Sequence, residues 1–364
     1  MIKDLSYGSC AGVLAVALGV ALPAGAAEAE PVKIGITLPS QNQTVWYDQG
    51  LDMKRKLEAK GYEVELYYGG DGTKLDVPTQ VRQVGTMVEA GCKVLVLTPL
   101  DGTAFKEALA DAKKKGVTVI SYDRLTMGTK DIDYYVCFNS TMTGRMQGRF
   151  IVEKLGLNMG ASGKTMELFQ GDPTTSSTKY FYEGALQELK PYLDSGQLTV
   201  PSGKIKLEDV TTQGWSRDIA FKRMDELIEQ QGYNPETKPL HAVLSASDNM
   251  ARGTADALVR HGFTKEKFPV ITGQDCSRAV LDYLKQGLVQ MSVLRNLNES
   301  VDRIVTMIDE VVQGKQVEIN DTSTYNNGVM DMKTYMCTPE LVTIENRRAV
   351  LVDRLHLYTA EDVM

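Results

Sequence analysis

The sequence predicts an α/β protein built as two doubly wound parallel-sheet lobes joined by a hinge. Three observations carry this reading. Short apolar runs alternate with segments of helical period along most of the chain. The helical segments of the first half close on glycines, Gly61, Gly91 and Gly116, a helix-stop signal. The chain has 364 residues, more than one core usually organises, and the plan of its first half starts again after Phe138.

The elements follow in order. Val32-Lys33-Ile34-Gly35-Ile36-Thr37-Leu38 reads as a strand ending at Pro39-Ser40, with a helix over Thr44 to Lys60 and a strand from Tyr62 to Tyr68. A helix from about Asp76 to Ala90 precedes the wholly apolar run Val94-Leu95-Val96-Leu97, the pattern of a strand covered on both faces. Asp101-Gly102-Thr103 opens a helix whose last turn, Lys113-Lys114-Lys115, puts cations where the helix dipole favours them. Val117 to Ser121 and Tyr134 to Phe138 are further strands.

In the second half, helices are expected over Met142 to Leu155, Ser177 to Lys190, Ser216 to Gln231, Asn249 to His261, Ala279 to Gln286 and Glu299 to Gln313. Strands are expected at Lys164 to Gln170, Ile205 to Val210, Ala242 to Ser245, Val270 to Gly273 and Gln290 to Leu294.

The N-terminus reads as an export signal. Lys3 lies in a short polar start, Ala11 to Leu22 is apolar, and Pro23-Ala24-Gly25-Ala26-Ala27 supplies the small residues of a cleavage site near Ala26 or Ala27. The apolar run is short for a bilayer span. Asp4 departs from the positive start such signals favour, and Cys10 precedes the run instead of closing it, which argues against a lipid anchor. Cys92, Cys137, Cys276 and Cys337 form no CxxC, so neither a zinc nor a redox motif is supported, and their pairing is open. A net charge of −7 argues against a nucleic-acid partner.

In open α/β sheets, ligands bind beyond the carboxyl ends of the strands. The residues just after the expected strands are therefore the candidates: Gln41, Asn42, Gln43 and Trp46; Asp123 and Arg124; Asn139; Asp172, Thr174, Thr175, Ser176 and Ser177; Gln213 and Trp215; Ser247, Asp248 and Asn249; Gln274 and Asp275; and Arg295. This set holds both tryptophans of the chain and is rich in planar hydrogen-bonding groups. A sugar offers hydroxyls that donate and accept together, and a weakly apolar C–H face. Carboxylates, guanidinium groups and amides match the first, and tryptophan covers the second. Plainer roles compete. Asp248 suits an N-cap, Asp101 and Asp172 suit turns, Ser176 and Ser177 suit a helix start, and Trp46 suits a core. Asp123-Arg124 and Gly273-Gln274-Asp275 are harder to account for that way.

Catalytic motifs are scarce. The three histidines, His241, His261 and His356, show no metal-ligand spacing, and there is no GxSxG, P-loop or GxGxxG after the first strand. No enzyme, no cofactor and no metal site is expected.

Several segments resemble the periplasmic sugar-binding proteins of ABC transporters, of the ribose/galactose/xylose type and closest to the branch that binds multiple monosaccharides. They are Val119-Ile120-Ser121-Tyr122-Asp123-Arg124, Phe169-Gln170-Gly171-Asp172-Pro173, Gly273-Gln274-Asp275 and Asn320-Asp321-Thr322-Ser323-Thr324-Tyr325-Asn326-Asn327-Gly328-Val329. The resemblance spans Val32 to about Val352. It implies the type I periplasmic binding fold, with a first lobe of residues 28–138 plus 296–322 and a second of 139–295 plus 323–364, after a signal over 1–27. It implies a monomer that closes on an aldose such as glucose, galactose, xylose or arabinose and docks on a membrane permease. Some members also present the closed form to a chemoreceptor or sensor kinase.

Carried over position by position, Trp46 and Trp215 resemble the stacking aromatics of the two lobes, and Asp123 and Arg124 the pair on the ring hydroxyls. Asp275 matches a sugar-binding aspartate of the second lobe. Asn139 stands where the family usually has Asp, Arg295 where it has Lys, and Ser176-Ser177 where it often has an Asn pair. These departures leave the choice among aldoses open.

Overall fold

A computed structural model describes residues 30–41, 44–70 and 76–364, and the fold is carried by Val32–Met364. The expected export signal over 1–27, with Cys10, and the post-strand residues Asn42 and Gln43 lie outside the described residues.

The strands form two six-stranded sheets. The first half of the chain supplies β1 (Lys33–Leu38), β2 (Glu63–Tyr68), β3 (Val94–Leu97), β4 (Thr118–Tyr122) and β5 (Tyr134–Phe138). The second supplies β6 (Lys164–Phe169), β7 (Leu198–Thr199), β8 (Ala242–Ser245), β9 (Val270–Gln274) and β10 (Met291–Leu294), followed by β11 (Thr334–Cys337) and β12 (Glu340–Thr343). The orders are β11-β5-β4-β3-β1-β2 and β12-β10-β9-β8-β6-β7. Every pairing is parallel except β10 with β12.

The apolar runs are continuous because both faces of each sheet are covered. In β3, Val94 and Val96 pack on one face with Ile34, Ile36 and the helix Leu297–Val312, while Leu95 and Leu97 pack on the other with Val84, Met87 and Leu109. The second sheet repeats this, with Val243 on one face and Ala242 and Leu244 on the other. Between the helices Ser140–Lys154 and Ser177–Asp194 the backbones nearly touch. A Cβ on Gly144 would lie 2.0 Å from the Phe181 carbonyl oxygen, and one on Gly184 would lie 2.1 Å from that of Thr141. That seam fixes Asn139 and Ser176, one at the start of each helix.

Three expectations are corrected. Residues 323–337 belong with the first lobe: Tyr325 and Met332 pack in its core, and β11 pairs with β5. The chain therefore crosses between sheets a third time, between Cys337 and Glu340. The segment Thr-Tyr-Met-Cys carries no periodicity that names its sheet, and an edge strand is placed by long-range pairing. No strand forms over Ile205 to Val210. Leu207–Val210 is a helical turn with Glu208 and Asp209 at its positive end, and the sheet edge beside β6 is β7 instead. The helix expected from Asp101 starts at Lys106, because the Asp101 carboxylate accepts from the Thr103 amide at 2.8 Å and makes a turn first.

Cys92, Cys137, Cys276 and Cys337 are free and buried. Among the described residues no helix is long and apolar enough to cross a membrane.

Candidate functional site

β4 ends at Tyr122, whose hydroxyl is buried between Gln49 and Ser300. Asp123 follows at φ 57°, in the left-handed region. Its amide donates to Val136 O at 2.9 Å and its carbonyl accepts from the Tyr135 hydroxyl at 2.7 Å. Only five non-glycine residues among those described have positive φ: Asp123, Trp215, Asp275, Cys276 and His356. Three of them are candidates named from sequence. Such strain costs energy and persists where surrounding contacts over-determine it, as functional sites do.

Arg295, immediately after β10, joins the two lobes. Its Nη1 lies 2.7 Å from Asp123 Oδ1 on the first lobe, and its Nε lies 2.8 Å from Asp275 Oδ1 on the second. The Arg295 and Asp123 side chains are each 14% exposed, and Asp275 is 34% exposed. Burial works against the guanidinium charge, but Asp275 and Asp123 outweigh it and raise its pKa further. The Phe138 ring lies 5.8 Å away.

Arg124 sits differently. Its guanidinium lies 5.5 Å from the Trp46 ring centroid and makes one long hydrogen bond, 3.4 Å to Pro99 O. Burial lowers its pKa, opposed by Asp123 and Asp172. Most of its five donors have no protein acceptor among the described residues. Trp46 itself is 6% exposed and belongs to the first-lobe core.

Trp215 is held by a small framework. Its indole N–H donates to Thr175 Oγ1 at 3.3 Å, and its ring meets Phe181 edge-on at 6.1 Å. The ring end rests on Gly171, where an added Cβ would lie 2.0 Å from Cη2. Asp172 ties the loop, accepting from the Thr174 amide at 2.7 Å and the Gly214 amide at 2.6 Å.

Other candidates have local work. Asn139 caps the helix Ser140–Lys154, its Oδ1 accepting from Met142 N at 2.9 Å. Ser176 Oγ accepts from Leu125 N at 3.0 Å, a second link between lobes, and Ser177 is buried. Ser247 caps the helix Asp248–Arg260. Asp248, 2% exposed, turns inward to Ser292 and Ser277, both at 2.7 Å, and neither caps that helix nor joins the Arg295 bridge. Gln274 is buried, while Gln41, Gln213 and Asn249 are exposed.

One residue escaped the sequence reading. The Tyr325 hydroxyl accepts from Ser140 N at 3.0 Å and donates to Phe138 O at 3.2 Å, which pins the first crossing beside Asn139. Its ring also meets Tyr180 of the second lobe at 4.8 Å. The only signal was its place inside the Asn320 to Val329 segment.

The Asp123–Arg295–Asp275 bridge thus joins charged hydrogen-bonding groups of both lobes, while Trp46 lies in the first-lobe core and Trp215 rests on Gly171. Residues 34–316 match the family described as periplasmic binding protein domain. The chain is 37% identical to the multiple sugar-binding periplasmic protein SbpA of Azospirillum brasilense, over 88% of each chain. It is 36% identical to the multiple sugar-binding periplasmic receptor ChvE of Rhizobium radiobacter, over 93% of this chain and 95% of that one. An ABC transporter solute-binding protein from Clostridium phytofermentans, solved with bound β-D-glucose, superposes with a TM-score of 0.84 at 36% identity, covering 91% of this chain and all of that one. The chain belongs to the periplasmic binding protein family.

Proposed function

We propose that this protein captures a monosaccharide between its lobes, an aldohexose or aldopentose such as glucose, galactose, xylose or arabinose, and delivers it to the permease of an ABC transporter. The observation that carries this reading is the Asp123–Arg295–Asp275 bridge, which places two acceptors and a guanidinium on facing lobes. Sugar hydroxyls bind such groups with roughly 1.5–3 kcal/mol per charged hydrogen bond, so a few suffice for micromolar affinity, about 8 kcal/mol. Trp46 and Trp215 flank the sugar, Arg124 donates to it, and Asn139 offers its amide nitrogen.

The sugar contacts both lobes at once only when they are closed, so it selects the closed form. The protein acts in the periplasm as a monomer, after removal of its leader near Ala26 or Ala27, and it binds without turnover. One of its relatives is named a receptor, which favours a second role for the closed form, as the signal read by a chemoreceptor or sensor kinase.

A thermal-shift panel of aldohexoses and aldopentoses tests the reading. At a hundredfold excess over Kd the cognate sugar adds about 2.7 kcal/mol to the stability of the folded state, and Tm rises by several degrees. An unchanged Tm with every sugar contradicts it.

A further inference from the structure

The turn after β9 is the one place among the described residues where two consecutive non-glycine residues, Asp275 at φ 99° and Cys276 at φ 49°, occupy the left-handed half of backbone space. Such a turn does not hold itself. Asp248 holds it from beneath. Its Oδ2 accepts from Ser277 N at 2.7 Å, and its Oδ1 accepts from Ser292 Oγ at 2.7 Å. Ser292 Oγ in turn accepts from Cys276 N at 3.0 Å. A Cβ on Gly273 would lie 2.4 Å from Asp248 Oδ1, so glycine there leaves room for the carboxylate.

We infer that Asp248 is a positioning residue for ligand capture, whose ionised carboxylate, acting through Ser277 and Ser292, keeps the turn in the shape that aims Asp275 at Arg295. The inference rests on the sugar-binding reading above.

A pH dependence follows. Burial, then the neighbouring Asp275 charge, push Asp248 up to about 7, against the hydrogen bonds from Ser292 and Ser277. Facing it are Asp275 and Cys276 on the turn and Tyr358 from the C-terminal tail, with Arg295 beyond Asp275 and Arg278 beside Tyr358. Protonation turns one carboxylate oxygen into a donor, so the Ser292 bond must reverse and the charge-assisted pair of acceptors that holds the turn is lost, which loosens it. Affinity therefore falls as pH drops through about 7. Ligand-free stability moves the other way. A carboxylate raised on folding contributes stability that is complete below its unfolded pKa and lost as pH rises through about 7. A merely structural role would move affinity and stability together.

Calorimetric titration with the sugar found in the panel, at several pH values, is the test. Asp248→Asn is expected to bind about tenfold more weakly at the upper pH, since an amide replaces one acceptor with a donor, and to lose the pH slopes of both affinity and Tm. Ser292→Ala keeps the carboxylate, so it is expected to weaken binding severalfold with the slope retained. It carries the test if the Asn variant does not fold. In the ligand-free protein, the amide resonances of Asp275, Cys276 and Ser277 are expected to follow one titration near pH 7 in the wild type and none in Asp248→Asn. This readout needs no sugar, so it separates the failure of the positioning role from the failure of the sugar-binding reading. Wild-type affinity and pH profile in a folded Asp248→Asn, or turn amides indifferent to pH, would overturn the inference. Unchanged affinity in Ser292→Ala would do the same.

Discussion

Arg295→Met is expected to raise the Kd for the cognate sugar more than a hundredfold, while the ligand-free protein unfolds only a few degrees earlier. The guanidinium neutralises Asp123 of the first lobe and Asp275 of the second at 2.7 Å each. Without it, closure brings two carboxylates together with no cation between them. Removing one partner of a buried ion pair costs on the order of 3–5 kcal/mol, and under the closure proposed above that penalty falls on the closed form. An open form would let both carboxylates rehydrate, which would largely spare stability. The split between affinity and stability is the diagnostic. Parallel calorimetry and thermal melts read it, and a variant that melts far earlier yet binds normally would assign Arg295 to the scaffold.

Arg124→Ala is expected to have the opposite signature in stability. Burial already disfavours the charge of this guanidinium, and its one hydrogen bond to Pro99 O is long. Truncating it removes an under-compensated charge, so the ligand-free Tm holds or rises. Affinity falls by at least tenfold, because a charged hydrogen bond is worth roughly 1.5–3 kcal/mol. Binding groups that are costly to the free protein are a common trade of stability for function. A fall in Tm with unchanged affinity would place Arg124 in the fold and out of the site.

Much of this architecture was readable from the chain because parallel strands covered on both faces leave an unmistakable apolar run, as Val94 to Leu97 does. The three residues of the bridge stood out as candidates for a related reason, although their pairing with one another was not readable. Ligand groups in such folds sit directly after strands, and Asp123, Asp275 and Arg295 each stand there in the sequence. What stayed hidden depends on partners far away along the chain. Asp248 was open between a helix cap and a ligand contact, since its partners Ser277 and Ser292 lie 29 and 44 residues on. Tyr325 reaches back 185 residues to Ser140. The sheet joined by β11 is set by the neighbour it pairs with, which Thr334-Tyr335-Met336-Cys337 alone does not declare. Trp46 had two readings. It lies in the first-lobe core with Arg124 over its ring.

The proposed mode of binding requires one sugar to be gripped by both lobes at once. A double-mutant cycle with Asp123→Ala and Asp275→Ala, measured by isothermal titration with the cognate aldose, tests it most directly. Each single variant is expected to lose well over about 1.5 kcal/mol of binding. The double variant is expected to lose less than the sum, because both carboxylates serve the same ligand and the same Arg295. Wild-type affinity in either single variant would mean that one lobe holds the sugar alone, and would contradict the account.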